Sequence, residues 1–97
     1  MRKVTREIVR AFNNNENKKI SNSEVTTSDG ITKMYLFGNL IARKMQATGT
    51  IEITLAGWNT NTTRERLNGL PNVHVTQRNF APYLNGKEIS CYDFYTV

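Results

Sequence analysis

Three turn signals in quick succession, Asp29-Gly30, Gly38-Asn39 and Thr48-Gly49, do most to limit what this chain can fold into. Glycine enters the positive-φ conformations of two-residue turns without a Cβ clash, so each pair marks a reversal between antiparallel strands. The intervening segments carry the matching pattern. Ile31–Phe37 and Leu40–Met45 read as the arms of one hairpin with Gly38-Asn39 at its tip. Thr50–Ala56 alternates, with Ile51, Ile53 and Leu55 directed inward and Glu52 and Thr54 outward. Ser21–Thr27 is polar and reads as an edge strand or an extended arm. Val73–Gln77 is a further strand, Asn85-Gly86 marks a second hairpin, and the aromatic tail from Cys91 to Val97 suits an edge strand or a core cover.

Two helices frame this β region. Val4, Ile8 and Phe12 recur every four residues with Ala11 beside them, which predicts an amphipathic helix over 3–13. Asn13-Asn14-Asn15 stops it, and 14–19 reads as a polar linker. Thr62-Thr63-Arg64-Glu65 has the capping-box form and predicts a short helix near 62–68, ended by Asn68-Gly69 and Pro71. The expected architecture is α+β: an antiparallel β-sheet of five to six strands, an N-terminal amphipathic helix and the short helix near 62–68. A chain of 97 residues forms one domain, with a basic helix and linker over 1–19 and a sheet body over 20–97.

Composition removes much chemistry. Cys91 and His74 each stand alone, so neither a disulfide nor the usual zinc ligand sets can be built, and a reducing compartment fits. No apolar run spans a bilayer, and the basic opening lacks the apolar stretch of a secretory signal. The acidic residues show no paired metal-binding or glycosidase spacing, and there is no P-loop or dinucleotide fingerprint. His74 and Cys91 lack a nucleophile elbow or oxyanion loop, so they read as a satisfied histidine and a small buried thiol. A non-enzymatic role without cofactors, metals or membrane contact is expected.

From Leu36 onward the text takes a recognisable form. Leu36-Phe37-Gly38-Asn39-Leu40-Ile41-Ala42, Gly49-Thr50-Ile51-Glu52-Ile53 and Ala56-Gly57-Trp58-Asn59-Thr60-Asn61-Thr62-Thr63-Arg64-Glu65-Arg66-Leu67-Asn68 together resemble an uncharacterised family of short bacteriophage and prophage proteins. The Gly-Trp-x-Thr-x-Thr-Thr-Arg piece is the most specific part, about half the chain is covered, and the first 30 residues lie outside the pattern. The resemblance implies a phage origin and a host-cytoplasm location, and it brings no catalytic residues.

Charge points to a binding role. The net charge is +5, but residues 1–19 hold six basic and two acidic side chains, a local +4, while the remaining chain is close to neutral. Arg2, Lys3, Arg6 and Arg10 fall on the side of the first helix away from its apolar stripe, a pattern suited to an anionic partner or to a solvated face. With Gly38-Asn39 as the turn, Lys33, Tyr35, Phe37 and Lys44 share one hairpin face, which either grips phosphates and stacks bases or lies beneath the first helix. The opposite face then holds Met34, Leu36, Ile41 and Met45. Arg64 and Arg66 sit beside the threonines of the second helix start, where an anion contact competes with plain capping. Two partners stay open, the first from these surfaces and the second from the phage resemblance of a compact domain without chemistry. One is nucleic acid, held by Arg2, Lys3, Arg6, Arg10, Lys33, Tyr35, Lys44, Arg64 and Arg66. The other is a host protein, such as a defence or transcription factor, that the chain binds and inhibits.

Overall fold

The computed structural model describes residues 2–97. In chain order the elements are α1 (Lys3–Asn13), β1 (Lys18–Ile20), β2 (Ser23–Ser28), β3 (Ile31–Leu36), β4 (Asn39–Met45), β5 (Ile51–Ile53), α2 (Asn61–Leu67), β6 (Val75–Arg78), β7 (Ala81–Leu84), β8 (Lys87–Glu88) and β9 (Tyr95–Thr96). The expected α+β class holds. A six-stranded antiparallel sheet runs β1-β2-β3-β4-β5-β9, and a separate three-stranded sheet, not anticipated from the sequence, runs β6-β7-β8.

α1 forms where its pattern places it. Ile8, Val9, Ala11 and Phe12 are buried with Thr5, and they pack on the sheet row Val25, Met34, Ala42 and Ile53. Leu55, Leu67, Leu70, Val75 and Leu84 extend the same apolar cluster into α2 and the small sheet, so one core joins both sheets. α1 and the segment after α2 approach closely: a Cβ at Gly69 would meet Val9 Cγ2 at 2.6 Å, a contact only glycine leaves open.

Several expectations are corrected. The linker ends at residue 17, because Lys18–Ile20 pairs with Val25–Ser23 as β1. β2 is therefore an interior strand, not an edge. The linker's asparagines are tied to the sheet: Thr32 Oγ1 donates to Asn15 Oδ1 at 2.8 Å and the Thr27 amide to Asn17 Oδ1 at 2.6 Å. β5 stops at Ile53; Thr54 is buried rather than outward-facing, and its hydroxyl accepts from the Ala56 amide. α2 is capped by Thr60 and not by Thr62, since the Thr63 amide donates to Thr60 Oγ1 at 3.2 Å. That frees Glu65 from the capping box. β6 begins two residues later than expected, at Val75, while the Asn85-Gly86 turn and the β9 edge strand form as read.

The largest correction lies in the β3–β4 hairpin. Its tip is Phe37-Gly38, with φ of 51° and 79°, and Leu36 faces Asn39. Positive φ at both central positions is the type I′ pattern, whose twist matches that of the flanking strands. The tip therefore lies one residue earlier than Gly38-Asn39, and every pairing shifts. A bulge between Met34 and Tyr35 shifts the register again, so that Lys33 faces Arg43 and Thr32 faces Lys44. Ile41 and Ala42 are both buried as a result. A one-residue slip exchanges the faces of a strand. Lys44 thus joins the buried Thr32 row, and Met45, opposite Ile31, is exposed instead of core-facing.

Candidate nucleic-acid interface

The cations singled out by the sequence fall into three groups. Arg2, Lys3, Arg6 and Arg10 are exposed; the last three fall within a third of the α1 circumference, opposite Ile8 and Phe12, and Arg2 immediately precedes the helix. Among the described residues, none of these four is in a salt bridge. Arg6 and Arg10 lie one turn apart, about 6 Å along the helix axis. The result is a continuous basic stripe on the solvent side of α1. Exposed Lys18 pairs with core-facing Val25, which places it on the same side of the sheet, at its edge.

Lys33 and Tyr35 lie on the other side of the molecule. They belong to the rows Thr26-Lys33-Arg43-Glu52 and Glu24-Tyr35-Leu40, which face away from α1. The first helix does not cover this face. Phe94 of the C-terminal segment reaches it, stacking on the Arg43 guanidinium at 3.8 Å from the ring centre. Arg43 is also ion-paired with Glu52 at 2.8 Å, so of the cations in these rows Lys33 alone is left without a salt bridge among the described residues. Tyr35 stands near Leu40, with Ile31 and Met45 further along. This surface is mixed and nearly neutral, not a Lys/aromatic phosphate grip.

Lys44, Arg66 and Arg64 are held by the protein itself. Lys44 Nζ donates to the Phe12 and Asn13 carbonyls at 2.8 and 3.1 Å, closing the last turn of α1. Burial lowers its pKa. Arg66 is only 3% exposed. It donates to Ser23 Oγ (3.0 Å), Asn22 Oδ1 (3.3 Å), Thr5 Oγ1 and Glu65 Oε1. Burial lowers the Arg66 pKa and the adjacent Glu65 carboxylate opposes that shift. For Glu65, burial pushes its pKa up, but hydrogen bonds from Thr5 and the Arg2 amide, with the charges of Arg66 and Arg2, bring it below the ordinary value. These bonds tie the start of α1 to α2. Arg66 is thus a structural cation, inaccessible to an external phosphate. Arg64 donates to Asn59, Asn61 and Gln77, joining α2 to the small sheet with its side chain still partly exposed.

The threonines at the start of α2 border a pocket. Leu36, Ile41, Leu55, Phe37, Trp58 and Thr62 line this pocket of about 360 Å³ between the hairpin tip and α2. Phe37 is 70% exposed and Trp58 58% exposed. Trp58, beside the glycine of the most specific motif, therefore adds little to the core. His74 is exposed and Cys91 half-buried, and neither lines this pocket.

The helix, the sheet and the basic stripe belong to a phage protein, as the resemblance of residues 36–68 implies. Residues 1–97 match the model of the Kyanoviridae Gp96 protein, and the chain belongs to that family. No curated protein and no solved structure matches it. Among the described residues no helix is long and apolar enough to cross a membrane.

Proposed function

We propose that this member of the Gp96 family is a non-enzymatic nucleic-acid-binding protein of the host cytoplasm, holding the phosphate backbone along α1. The observation that carries this reading is the stripe of Arg2, Lys3, Arg6 and Arg10, exposed and outside any salt bridge among the described residues. Cations free of internal partners release condensed counterions when they meet a polyphosphate, and that release drives association. Lys33, Tyr35, Lys44 and Arg66 are not part of this surface. The test is a salt titration. Wild-type protein should bind labelled DNA or RNA at about 50 mM salt and lose most affinity by about 200 mM. Arg6→Gln with Arg10→Gln should weaken binding on all sequences alike and flatten the log–log salt slope by about one and a half to two. Absence of binding at the lower salt eliminates the reading.

A second reading, a module that binds and inhibits a host protein, is favoured by a different surface. The open sheet face offers Ile31, Tyr35, Leu40 and Met45 around the neutralised Arg43–Glu52 pair. Charge-poor aromatic and aliphatic surface suits a protein partner better than a phosphate backbone. Affinity capture from nuclease-treated host lysate, lost on Tyr35→Ala and retained on Arg6→Gln with Arg10→Gln, would support it.

A further inference from the structure

The pocket at the hairpin tip lies beside the start of the basic stripe. Glu65, one turn beyond Thr62 in α2, accepts from the Arg2 amide at 3.1 Å and from Thr5 Oγ1. The wall of the pocket and the first residues of α1 are thereby fastened together. At the tip, the Phe37 amide donates to the Asn22 carbonyl at 2.8 Å, and Asn22 in turn accepts from Arg66. Hairpin tip, α2 and the start of α1 form one rigid end.

The aromatic residues at this end are placed against their local preferences. Phe37 occupies the left-handed region at φ 51° while 70% exposed. A bulky aromatic there gains nothing from the turn, which favours Asn or Gly, and little from the core. Phe80 repeats the arrangement at the β6–β7 turn, with φ 67° and 89% exposure, and its carbonyl accepts from Asn59, the neighbour of Trp58. Backbone strain combined with an exposed ring, twice at one end, marks rings kept for contact with another molecule.

We infer that Phe37 and Trp58 receive an unpaired base of a single-stranded nucleic acid, with Phe80 as a further stacking platform and the α1 stripe holding the flanking phosphates. This rests on the phosphate-contact reading of α1. The floor of Leu36, Ile41 and Leu55 and the two rim rings suit the flat apolar faces of a base. Asn39 and Thr62 also line the pocket, and among the described residues their side chains have no hydrogen-bond partner, leaving donors and acceptors for a base edge. No acidic side chain lines it, and partly exposed Arg64 lies nearby. A duplex keeps its bases stacked within the helix, so the site selects single strands.

Trp58 is the only tryptophan, so its emission reports the pocket directly. Wild-type protein is titrated with an oligothymidylate of about 12 nucleotides and with a duplex of equal length. The single strand should bind more tightly and change Trp58 emission saturably. By anisotropy of a labelled strand, Phe37→Ala and Trp58→Ala should each lower affinity about fivefold to a hundredfold, with the salt slope retained. Both side chains are more than half exposed, and thermal melting verifies each fold; should Trp58→Ala fail to fold, Phe37→Ala and wild-type emission decide. Oligomer binding with unchanged Trp58 emission, or with full affinity in Phe37→Ala, overturns the base pocket and leaves the α1 reading standing. No binding to either nucleic acid at about 50 mM salt overturns both.

Discussion

Lys44 of β4 donates from Nζ to the carbonyl of Phe12, 32 positions away, at 2.8 Å, and so closes the C-terminal turn of α1 with a side chain from the sheet. A cation at a helix C-terminus opposes the partial negative charge of its free carbonyls. The same ammonium lies 5.2 Å from the centre of the Phe12 ring. Lys44 holds the helix that carries the basic stripe without belonging to the stripe.

Lys44→Met should accordingly lower stability by about 1–2 kcal/mol, the usual effect of losing a charged hydrogen bond and a helix-end interaction. Nucleic-acid affinity and its salt slope should be unchanged in the folded variant. Denaturant melts and a parallel salt titration measure the two effects; a flattened slope would place Lys44 on the binding surface after all.

Glu65 makes stability depend on acid. Its pKa in the folded chain is depressed, so its contribution is fully present above the ordinary glutamate value, about 4.3, and is lost as pH falls through the lower folded value. Glu65→Gln should be less stable than wild type at neutral pH, with the gap narrowing below about pH 4. Thermal melts of both proteins from neutral pH to about pH 3 test this. A constant gap would show that the carboxylate charge contributes nothing.

Ile53→Ala should destabilise by about 2–4 kcal/mol, because Ile53 is fully buried in the row Val25-Met34-Ala42-Ile53 and truncation leaves a cavity. Urea denaturation gives the value, and a loss below about 1 kcal/mol would contradict the position of this side chain.

Phe37→Asn should raise stability, by on the order of 1 kcal/mol, since Asn tolerates the left-handed conformation of the turn that Phe occupies with strain. The same substitution should weaken single-strand binding. A variant more stable and less able to bind is the signature of a residue kept for contact; a destabilised one would make Phe37 a structural part of the pocket.

Much of the fold was legible because its signals are local. The four-residue repeat of Val4, Ile8 and Phe12 specifies α1, and the basic stripe follows from the same helical geometry. The Asp29-Gly30 and Asn85-Gly86 turns form where glycine permits them, at φ of 77° and 88°. Ile53 alternates into the core as its strand pattern requires. α2 forms within one residue of the segment that Thr62-Thr63-Arg64-Glu65 predicts, with Thr60 as its cap.

Register and partnership depend on contacts between residues far apart in sequence. Phe37-Gly38 and Gly38-Asn39 are competing two-residue tips, and side-chain identity favours the second. The first forms with a bulge beside it, and together they place Ile41 and Ala42 in the core. That choice moved Lys44 to the helix side and left Lys33 and Tyr35 on the open face. Arg66 looked like a surface cation because its neighbours in sequence are polar; its burial depends on Thr5, Ser23 and Asn22, which lie more than 40 positions away. Lys18–Ile20 became a strand only because Ser23–Val25 offered it a ladder. Local sequence specifies both helices, most of the strands and the charged face of α1, since propensity, periodicity and turn chemistry act over a few residues. The three-dimensional packing decided which cations remain free to bind, because a charge is engaged or exposed according to groups that only the folded chain brings within hydrogen-bond distance.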